Sequence, residues 1–424
     1  MFKFLVKGLL RDRHRSRFPI IIVSLGVTLT VLIHCWISGV IGEIIDTSAA
    51  FATGHVKIMS RAYAENQGQI PNDLALIGIE SLISDLKQDY LDMIWVKRIR
   101  FGGLLDVPDN TGETRSQGPV MGLAVQLFSE SSGEINRLNI KKSLVTGQMP
   151  QKSGEILISD IFASKLDVQP GDAVTLMSST MYGSMAMQNY IVAGTMNFGV
   201  MAMDRATMIV DVGDAQIALD MVDSAGEILG YFGTNVYSDT KARSVVAAFN
   251  RQHEQDDDEF APVMQRLGEQ NGLDSMLEYV SSMIGIFIII FVSAMSIVLW
   301  NASLIGGLRR YGEVGLRLAI GENKSHVYFT MLLESFVIGI IGSVVGTIIG
   351  LGLSYYLQTV GFDISDQLQN VTMMVPSVFR AHVTSQAYYI GFVPGLFSTV
   401  LGTALAGIGI YRRNTARLFK ELEV

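Results

Sequence analysis

The 424-residue sequence has few cysteines and few charged residues, which argues against several common classes of protein. Cys35 is the single cysteine, so neither a disulfide nor a cysteine-based zinc site can form within one chain. Charged residues make up only 17% of the sequence, which is low for a soluble protein. The net charge of −8 argues against a nucleic-acid-binding protein, since phosphate contacts require clustered Lys and Arg.

Signatures of catalysis are also missing from the sequence. The six His are scattered, and neither H-E-x-x-H nor G-x-S-x-G occurs. The phosphate-binding loop G-x-x-x-x-G-K-[ST] is absent too, so the chain is not expected to hydrolyse ATP by the P-loop route. An acidic run at 256–259 lacks the Gly and the spaced ligands of a calcium loop, and we interpret it as a solvated turn. We therefore expect no catalytic residue, no metal and no cofactor in this chain.

Long apolar runs are what the sequence has instead. The first, at 18–40, contains no Asp, Glu, Lys or Arg, and at about 1.5 Å per residue it can cross about 30 Å of hydrocarbon. A signal peptide is the alternative for this run, but the apolar part of a signal peptide has only about 7–15 residues. We predict four transmembrane helices, at 18–43, 276–304, 326–358 and 388–411.

Basic residues predict how these helices are oriented. Lys and Arg are concentrated in three segments that border helix ends, at 1–17, 305–325 and 412–424. Because positively charged segments tend to stay in the cytoplasm, we expect these segments and both termini to be cytoplasmic. The segments at 44–275 and 359–387 are expected on the other side of the membrane. Residues 1–17 also have a short amphipathic pattern that would lie along the inner face of the membrane.

The long segment between the first two predicted helices has the composition of a soluble α+β domain. Short strand-like runs at 54–58, 93–99 and 118–125 form a first group, and a second group begins at 155–159. We therefore predict a large α+β domain at 44–275, inserted between transmembrane helices 1 and 2. Two subdomains are expected, with a boundary near residues 126–150.

Methionine is abundant in the second half of this domain. The candidate surface residues are Met177, Met181, Met185 and Met187. Thioether ligands suit Cu(I), but neither Cys nor His accompanies these residues, and Met commonly supplies pliable apolar surface. We interpret the four as a surface for lipid or another apolar substrate, with copper as the alternative.

The segment between the second and third predicted helices mixes charged with apolar side chains. Residues 308–321 read LRRYGEVGLRLAIG, which fits a short amphipathic helix lying on the membrane. The alternative is an ordinary positively charged loop that needs no partner. The pattern resembles the signature of the FtsX-like permease family, in which an Asn near the end of the second span precedes a helix that docks into an ATP-binding subunit. The residues that match in order and spacing are Asn301, Arg310, Glu313, Val314, Gly315, Ala319, Ile320 and Gly321.

The third span and the layout of the whole chain carry the same resemblance. Glu334 precedes a series of glycines as in that family, namely Gly339, Gly342, Gly346 and Gly350. One span, a large outer domain and three further spans is the arrangement of type VII ABC permeases, which include MacB and the LolC/LolE pair. The order of strand-like runs in the domain is similar to the LolC/LolE branch. Departures from the signature are Arg309 in place of Glu and Leu318 in place of Arg, and they bear on the subfamily more than on the family.

This resemblance implies the permease subunit of an ABC transporter in a bacterial inner membrane. Two copies of a separate ATP-binding subunit, which would hold ATP and Mg, would dock beneath a dimer formed with a second permease, the same or homologous. Glu313 would pair with basic groups of the ATPase, while Leu316 and Ile320 would bury an apolar face there. The glycine face of the third span would allow helices to slide against each other.

The implied function is ATP-driven release of lipoproteins, with membrane lipid and a periplasmic lipoprotein carrier as further partners. MacB-like efflux together with an outer-membrane channel is an alternative. Another is a signalling role, in which the moving domain activates a cell-wall hydrolase. A receptor or scaffold without an ATPase is a further alternative, and the signature at 308–321 argues against it.

Overall fold

The computed structural model describes residues 13–109, 111–199, 201–253, 258–270, 272–309, 316–318, 320–363 and 378–412. The chain divides into two compact units. The membrane unit consists of Met1–Gly42, Leu277–Phe362 and Phe379–Val424, and the α/β unit consists of Glu43–Met276 and Asp363–Val378. The acidic run at 256–259 lies partly outside the described residues.

The helices of the described residues are α1 (Arg13–Ser48), α2 (Arg61–Glu65), α3 (Ile79–Asp89), α4 (Glu134–Arg137), α5 (Asp160–Leu166), α6 (Met201–Asp204), α7 (Val212–Ala218), α8 (Asp239–Gln252), α9 (Leu273–Arg309), α10 (Lys324–Val360), α11 (Ala387–Ile390) and α12 (Phe392–Arg412). The strands are β1 (Val56–Ser60), β2 (Leu76–Ile77), β3 (Met93–Pro108), β4 (Thr114–Val125), β5 (Leu144–Gly147), β6 (Glu155–Ser159), β7 (Ala173–Ser179), β8 (Met185–Met196), β9 (Thr207–Asp211), β10 (Ser224–Ala225), β11 (Glu227–Phe232), β12 (Pro262–Arg266), β13 (Phe362–Asp363) and β14 (Val378–Phe379).

A ten-stranded sheet is the framework of the α/β unit. The first half of the long strand β3 pairs with β11, and its second half lies between β4 and β7. Since β7 also pairs with β8, the strands β3, β4, β9, β6, β8 and β7 close into a ring. Within this ring every strand is paired on both sides, and β12 and β5 lie at the ends of the strand order. Strand β4 pairs with β9, so the sheet is not divided at the subdomain boundary expected near 126–150.

Alternation along the strands fills the inside of this ring with apolar side chains. Phe101, Leu105 and Val107 of β3 are buried at every second or fourth position, and they share one core with Tyr190 and Val192 of β8. Two helices that follow strands of the ring begin at polar capping residues. Ser159 is the last residue of β6 and caps α5, and Asp211 is the last residue of β9 and caps α7. Each side chain accepts a hydrogen bond from a backbone N–H of the helix.

Within the part of the chain that the structure describes, four helices are long and apolar enough to cross a membrane: Arg17–Thr53, Leu273–Val298, Lys324–Val360 and Ala387–Gly407. In α1 the buried residues Val23, Val27 and Val31 recur every fourth position, which places them on one face. Leu25 and Leu29 on other faces are apolar and exposed, as expected of a helix surrounded by lipid. The predicted fold class is confirmed: four apolar helices, with a large α/β domain between the first and the second.

The α/β unit joins the first two apolar helices through neighbouring strands. Helix α1 runs into a π-helical turn at Ala49–Thr53, and β1 begins at Val56. Gly54 between them has a φ of +61° and donates its N–H to the Ala49 carbonyl, a conformation that favours glycine. Strand β12 pairs with β1 and ends shortly before α9 begins, with Arg266 opposite Val56. Both chain connections therefore leave the sheet from adjacent strands.

Candidate coupling and transmission site

The segment predicted to dock an ATPase lies largely outside the described residues. The predicted coupling residues outside them are Arg310, Glu313, Val314, Gly315 and Ala319. Asn301, predicted near the end of the second span, is in helix α9. The contacts proposed for Glu313 and its neighbours therefore stay predictions.

The described end of this segment is a short turn that carries exposed apolar side chains. Leu316 is 59% exposed and Ile320 is 77% exposed. Gly321 ends the turn with a φ of +96°, and its N–H donates to the Leu318 carbonyl over 3.2 Å. A residue with a Cβ would be strained in that conformation. Leu316 and Ile320 thus present apolar surface beside a turn that requires the predicted glycine.

The glycines predicted on the third span lie on a packed face of α10. A Cβ added at Gly342 would lie 2.8 Å from Cβ of Val23, and one added at Gly346 would lie 2.6 Å from the Ser24 carbonyl oxygen. Both distances are too short for any side chain, so α1 and α10 approach this closely only because glycine has none. Gly350 continues the same contact one turn further along α10.

Two hydrogen bonds fix the register of α1 on α10. Ser24 Oγ donates to the Gly342 carbonyl over 3.1 Å, and Thr28 Oγ1 donates to the Gly346 carbonyl over 3.1 Å. The two bonds are one helical turn apart on each helix. Sliding along the helix axis, which the glycine face was expected to allow, would break both bonds. Sliding of α1 against α10 therefore stays a prediction, and it would require both bonds to break and re-form.

Gly339 contacts a different helix. A Cβ at this position would lie 2.3 Å from Oγ1 of Thr399 on α12. Glu334, just over one turn earlier on α10, is half-buried. The predicted glycines of the third span thus line the contacts of α10 with two other helices of the membrane unit.

An apolar row crosses the exposed face of the strand ring. Met187 of β8 lies opposite Met177 of β7, Met177 lies opposite Leu104 of β3, and Leu104 lies opposite Pro119 of β4. Met187 is 62% exposed, and Met185, two residues earlier on the same face, is 71% exposed. Directly opposite residues share one face of a sheet at about 5 Å spacing. Three of the four predicted Met residues are brought together here.

Met181 does not belong to this surface. It lies in the turn between β7 and β8, is only 5% exposed and belongs to the main core. Its backbone N–H donates to the Leu219 carbonyl over 2.8 Å, which holds the turn against the end of α7. The structure thus corrects the prediction for Met181: the turn interrupts the strand alternation and directs this side chain inward.

The membrane unit matches a known family. Residues 285–415 match the family model described as FtsX-like permease C-terminal. This part of the chain is similar to FtsX-like permeases. The match begins within α9 and includes the segment predicted to dock an ATPase, all of α10 and all of α12.

Two MacB proteins are similar to parts of this chain. The chain is 33% identical over 61 residues to the macrolide export ATP-binding/permease protein MacB of Wolinella succinogenes, a match that covers 14% of the chain and 10% of that protein. The chain thus spans about a tenth of the length of this curated relative. A crystal structure of the periplasmic region of MacB from Actinobacillus actinomycetemcomitans aligns with 53% of the chain and 92% of that structure, at 11% identity and a TM-score of 0.35. The family match and the curated relative make the chain similar to FtsX-like, MacB-type permeases, and neither singles out the LolC/LolE branch.

Sequence reasoning missed a buried ionic cluster in the α/β unit. Arg98 and Glu134 are fully buried and share two hydrogen bonds, Nε to Oε2 at 2.7 Å and Nη2 to Oε1 at 3.1 Å. Lys57 and Glu227 are also buried, 3.0 Å apart, and Arg100 reaches the second Glu227 oxygen at 3.4 Å. Lys57, Arg98 and Arg100 interrupt the apolar runs HVKIM and IWVKRIRF, which is the signal that could have revealed them.

The cluster contains more positive than negative groups. Arg137 Nη1 lies 2.5 Å from Glu134, so four cations in total face two carboxylates. Burial lowers the pKa of Lys57, and the Arg100 guanidinium lowers it further against the attraction of Glu227. Burial alone would raise the pKa of Glu227, but Lys57 and Arg100 hold it below its ordinary value. The direction for Glu227 thus reflects the surrounding cations, whereas the direction for Lys57 is mainly an effect of burial.

Proposed function

We propose that this permease is the membrane subunit of an ABC transporter, in which separate ATP-binding subunits drive movement of the α/β unit. The observation that carries the proposal is the FtsX-like match over 285–415, because it includes the segment predicted to dock an ATPase. Two ATP-binding subunits would supply ATP and Mg, and a second permease, the same or homologous, would complete a dimer. The permease itself would contribute coupling and no catalytic group.

The proposed location is a bacterial inner membrane, with both termini in the cytoplasm. The basic segments at 1–17, 305–325 and 412–424 support this orientation. In that orientation the α/β unit lies in the periplasm, where a cargo could be handed to a soluble carrier.

The proposed cargo is a lipoprotein released from the membrane towards a periplasmic carrier. The apolar row supports this choice, because Met185 and Met187 are highly exposed and Met side chains adapt to flexible apolar groups such as acyl chains. Export of a small molecule through an outer-membrane channel is the second candidate. It is favoured by the stretch shared with a protein named for macrolide export. Proteins that co-purify with the permease distinguish the two: a sister permease and a lipoprotein carrier, or an outer-membrane channel.

Charge reversal at Glu313 tests the coupling proposal. If Glu313 is paired with a cationic groove of the ATPase, Glu313→Lys removes that pair and adds repulsion, a loss of about 2–5 kcal/mol. We expect normal membrane insertion, together with loss of ATPase co-purification and of ATP turnover by the complex.

A matched control separates this effect from a general effect of charge. Asp85 is exposed on α3 in the α/β unit, so Asp85→Lys makes a similar charge change far along the chain from the coupling segment. Surface changes of this kind usually alter stability by less than about 0.5 kcal/mol. Full ATPase binding and turnover in Glu313→Lys, equal to those of Asp85→Lys, would mean that 308–321 is an ordinary positive loop, contrary to the proposal.

A further inference from the structure

Four side chains of the α/β unit reach the carbonyl groups at the end of the first apolar helix. A helix end leaves most of its last carbonyls without partners in the helix. In the π-helical turn Ala49–Thr53, four carbonyls accept side-chain hydrogen bonds, and that of Ala49 also accepts the Gly54 N–H. The pairs are Tyr231 Oη to Ala49 at 2.9 Å, Arg98 Nη1 to Phe51 at 3.1 Å, Arg100 Nη2 to Ala52 at 3.0 Å and Gln270 Nε2 to Thr53 at 3.2 Å.

The donors come from several elements of the sheet. Arg98 and Arg100 belong to β3, Tyr231 belongs to β11, and Gln270 follows β12. Strand β11 pairs with both β3 and β1, so the turn is attached to adjacent strands. Any displacement of the turn relative to the sheet would have to break bonds to all of these elements together.

The donors are themselves held in place. Arg98 is fixed by its two hydrogen bonds to Glu134, and its Nη2 lies 3.3 Å from the Tyr231 hydroxyl. The Arg137 guanidinium lies 3.6 Å from the centre of the Tyr231 ring, a cation–π contact. Buried, doubly bonded guanidinium groups of this kind keep one orientation.

The charges of the buried cluster also favour its contact with the helix end. The C-terminal end of a helix carries a partial negative charge of about half an elementary charge. The cluster that meets it contains four cations and two carboxylates, so its positive surplus faces the helix end. Moving the turn away would leave buried positive groups without their counterpart, which is far more unfavourable than separating apolar groups.

We propose that Ala49–Thr53 is a rigid joint that moves as one body with β1, β3 and β11. When the end of α1 moves, the sheet then moves with it by the same amount, and any bending of the chain takes place outside this turn. The mechanical consequence rests on the proposed function, whereas the rigidity of the joint does not.

Hydrogen exchange of the full chain in lipid nanodiscs, without an ATPase, tests the joint. The joint variant combines Tyr231→Phe, Arg100→Met and Gln270→Met, which removes three of the four carbonyl bonds and leaves the Arg98–Glu134 pair intact. In the unaltered protein, amides of residues 49–54 are expected to exchange as slowly as those of β11. In the joint variant they are expected to exchange about tenfold faster or more, while those of β4 stay unchanged.

The control variant removes similar groups elsewhere in the same unit. Among the described residues Tyr190 Oη is buried without a hydrogen-bond partner, and Arg115 is on the surface, so Tyr190→Phe with Arg115→Met should leave residues 49–54 unchanged. Should the joint variant fail to fold, Tyr231→Phe alone is measured and is expected to accelerate the same amides to a smaller extent.

Two results would overturn the joint. One is fast exchange of residues 49–54 in the unaltered protein, as a separate hinge would show. The other is a folded joint variant, or Tyr231→Phe alone, whose exchange equals that of the control. Neither depends on the Glu313→Lys outcome, so failure of the joint and failure of the proposed function can be told apart.

Discussion

Ser24 on α1 donates a hydrogen bond from its hydroxyl to the carbonyl of Gly342 on α10, over 3.1 Å. Hydrogen bonds between membrane helices average only about 0.6 kcal/mol, so this bond and its neighbour from Thr28 fix the register more than they hold the helices together. The close packing that brings the donors within reach depends on glycine. Small residues on α10 are therefore the sensitive positions of this helix pair.

Gly346→Leu tests this dependence. A Cβ at Gly346 would lie 2.6 Å from the backbone oxygen of Ser24, so the helices must move apart, and overpacking of this kind costs about 1–3 kcal/mol. We expect a lower Tm of the full chain in detergent. The control is Gly352→Leu on the same helix, where an added Cβ meets nothing within 4 Å. Equal Tm values for the two variants would contradict the packing role of Gly346.

Acidification should destabilise the α/β unit through His55. This side chain is buried beside the joint, and its Nδ1 accepts the N–H of Phe232 over 3.0 Å. Burial, followed by the charge of Arg137, lowers the pKa of His55 from 6.5 to about 4. Because the unfolded chain then binds a proton more readily than the folded one, stability is full above about pH 6.5 and is lost as the pH falls towards 4. The loss amounts to about 3 kcal/mol in total.

The measurement is Tm against pH for the full chain and for His55→Asn. The Asn oxygen can accept the same N–H and does not titrate, so the variant should lose less Tm than the unaltered chain over this pH range. His326 is exposed and paired with Glu322, and His326→Asn should follow the unaltered chain. Parallel Tm curves for the unaltered chain and His55→Asn would show that His55 does not control the acid response.

The sequence predicts the local features of this protein well. An apolar run of membrane length is a property of consecutive residues, so the four long helices can be read directly from it. Gly342 and Gly346 could be predicted as a packed face because their spacing places them on one side of a helix. Which helix they contact, and that Ser24 and Thr28 fix the register, depends on pairing across more than three hundred residues.

Features that depend on long-range pairing could not be predicted in the same way. The ring of strands closes because β7 pairs with both β8 and the distant strand β3, and no local pattern indicates which distant strand β7 will join. The abundance of Met groups Met181 with Met177 in the sequence, although a turn directs Met181 into the core. Arg98 appeared as one charge in an apolar run, and its meaning depends on Glu134 and the helix end.

The exposed end of the apolar row can be tested with matched substitutions. Met185 and Met187 are highly exposed, so changing both to Leu or to Ser should alter Tm little. If the row receives acyl chains, the Leu pair keeps volume and apolarity and should retain most of the cargo release, whereas the Ser pair should lose it about tenfold or more.

The measurement is ATP-driven release of a lipoprotein from proteoliposomes that contain the complete complex, with a Met201→Ser chain as the control. Met201 on α6 is 68% exposed and lies outside the row. The control therefore measures the effect of removing an exposed Met that is not part of the row. Equal failure of the Leu and Ser pairs would indicate thioether chemistry and favour the copper alternative. Normal release by the Ser pair would show that the cargo does not bind the row, because a polar surface cannot replace an apolar one in binding acyl chains.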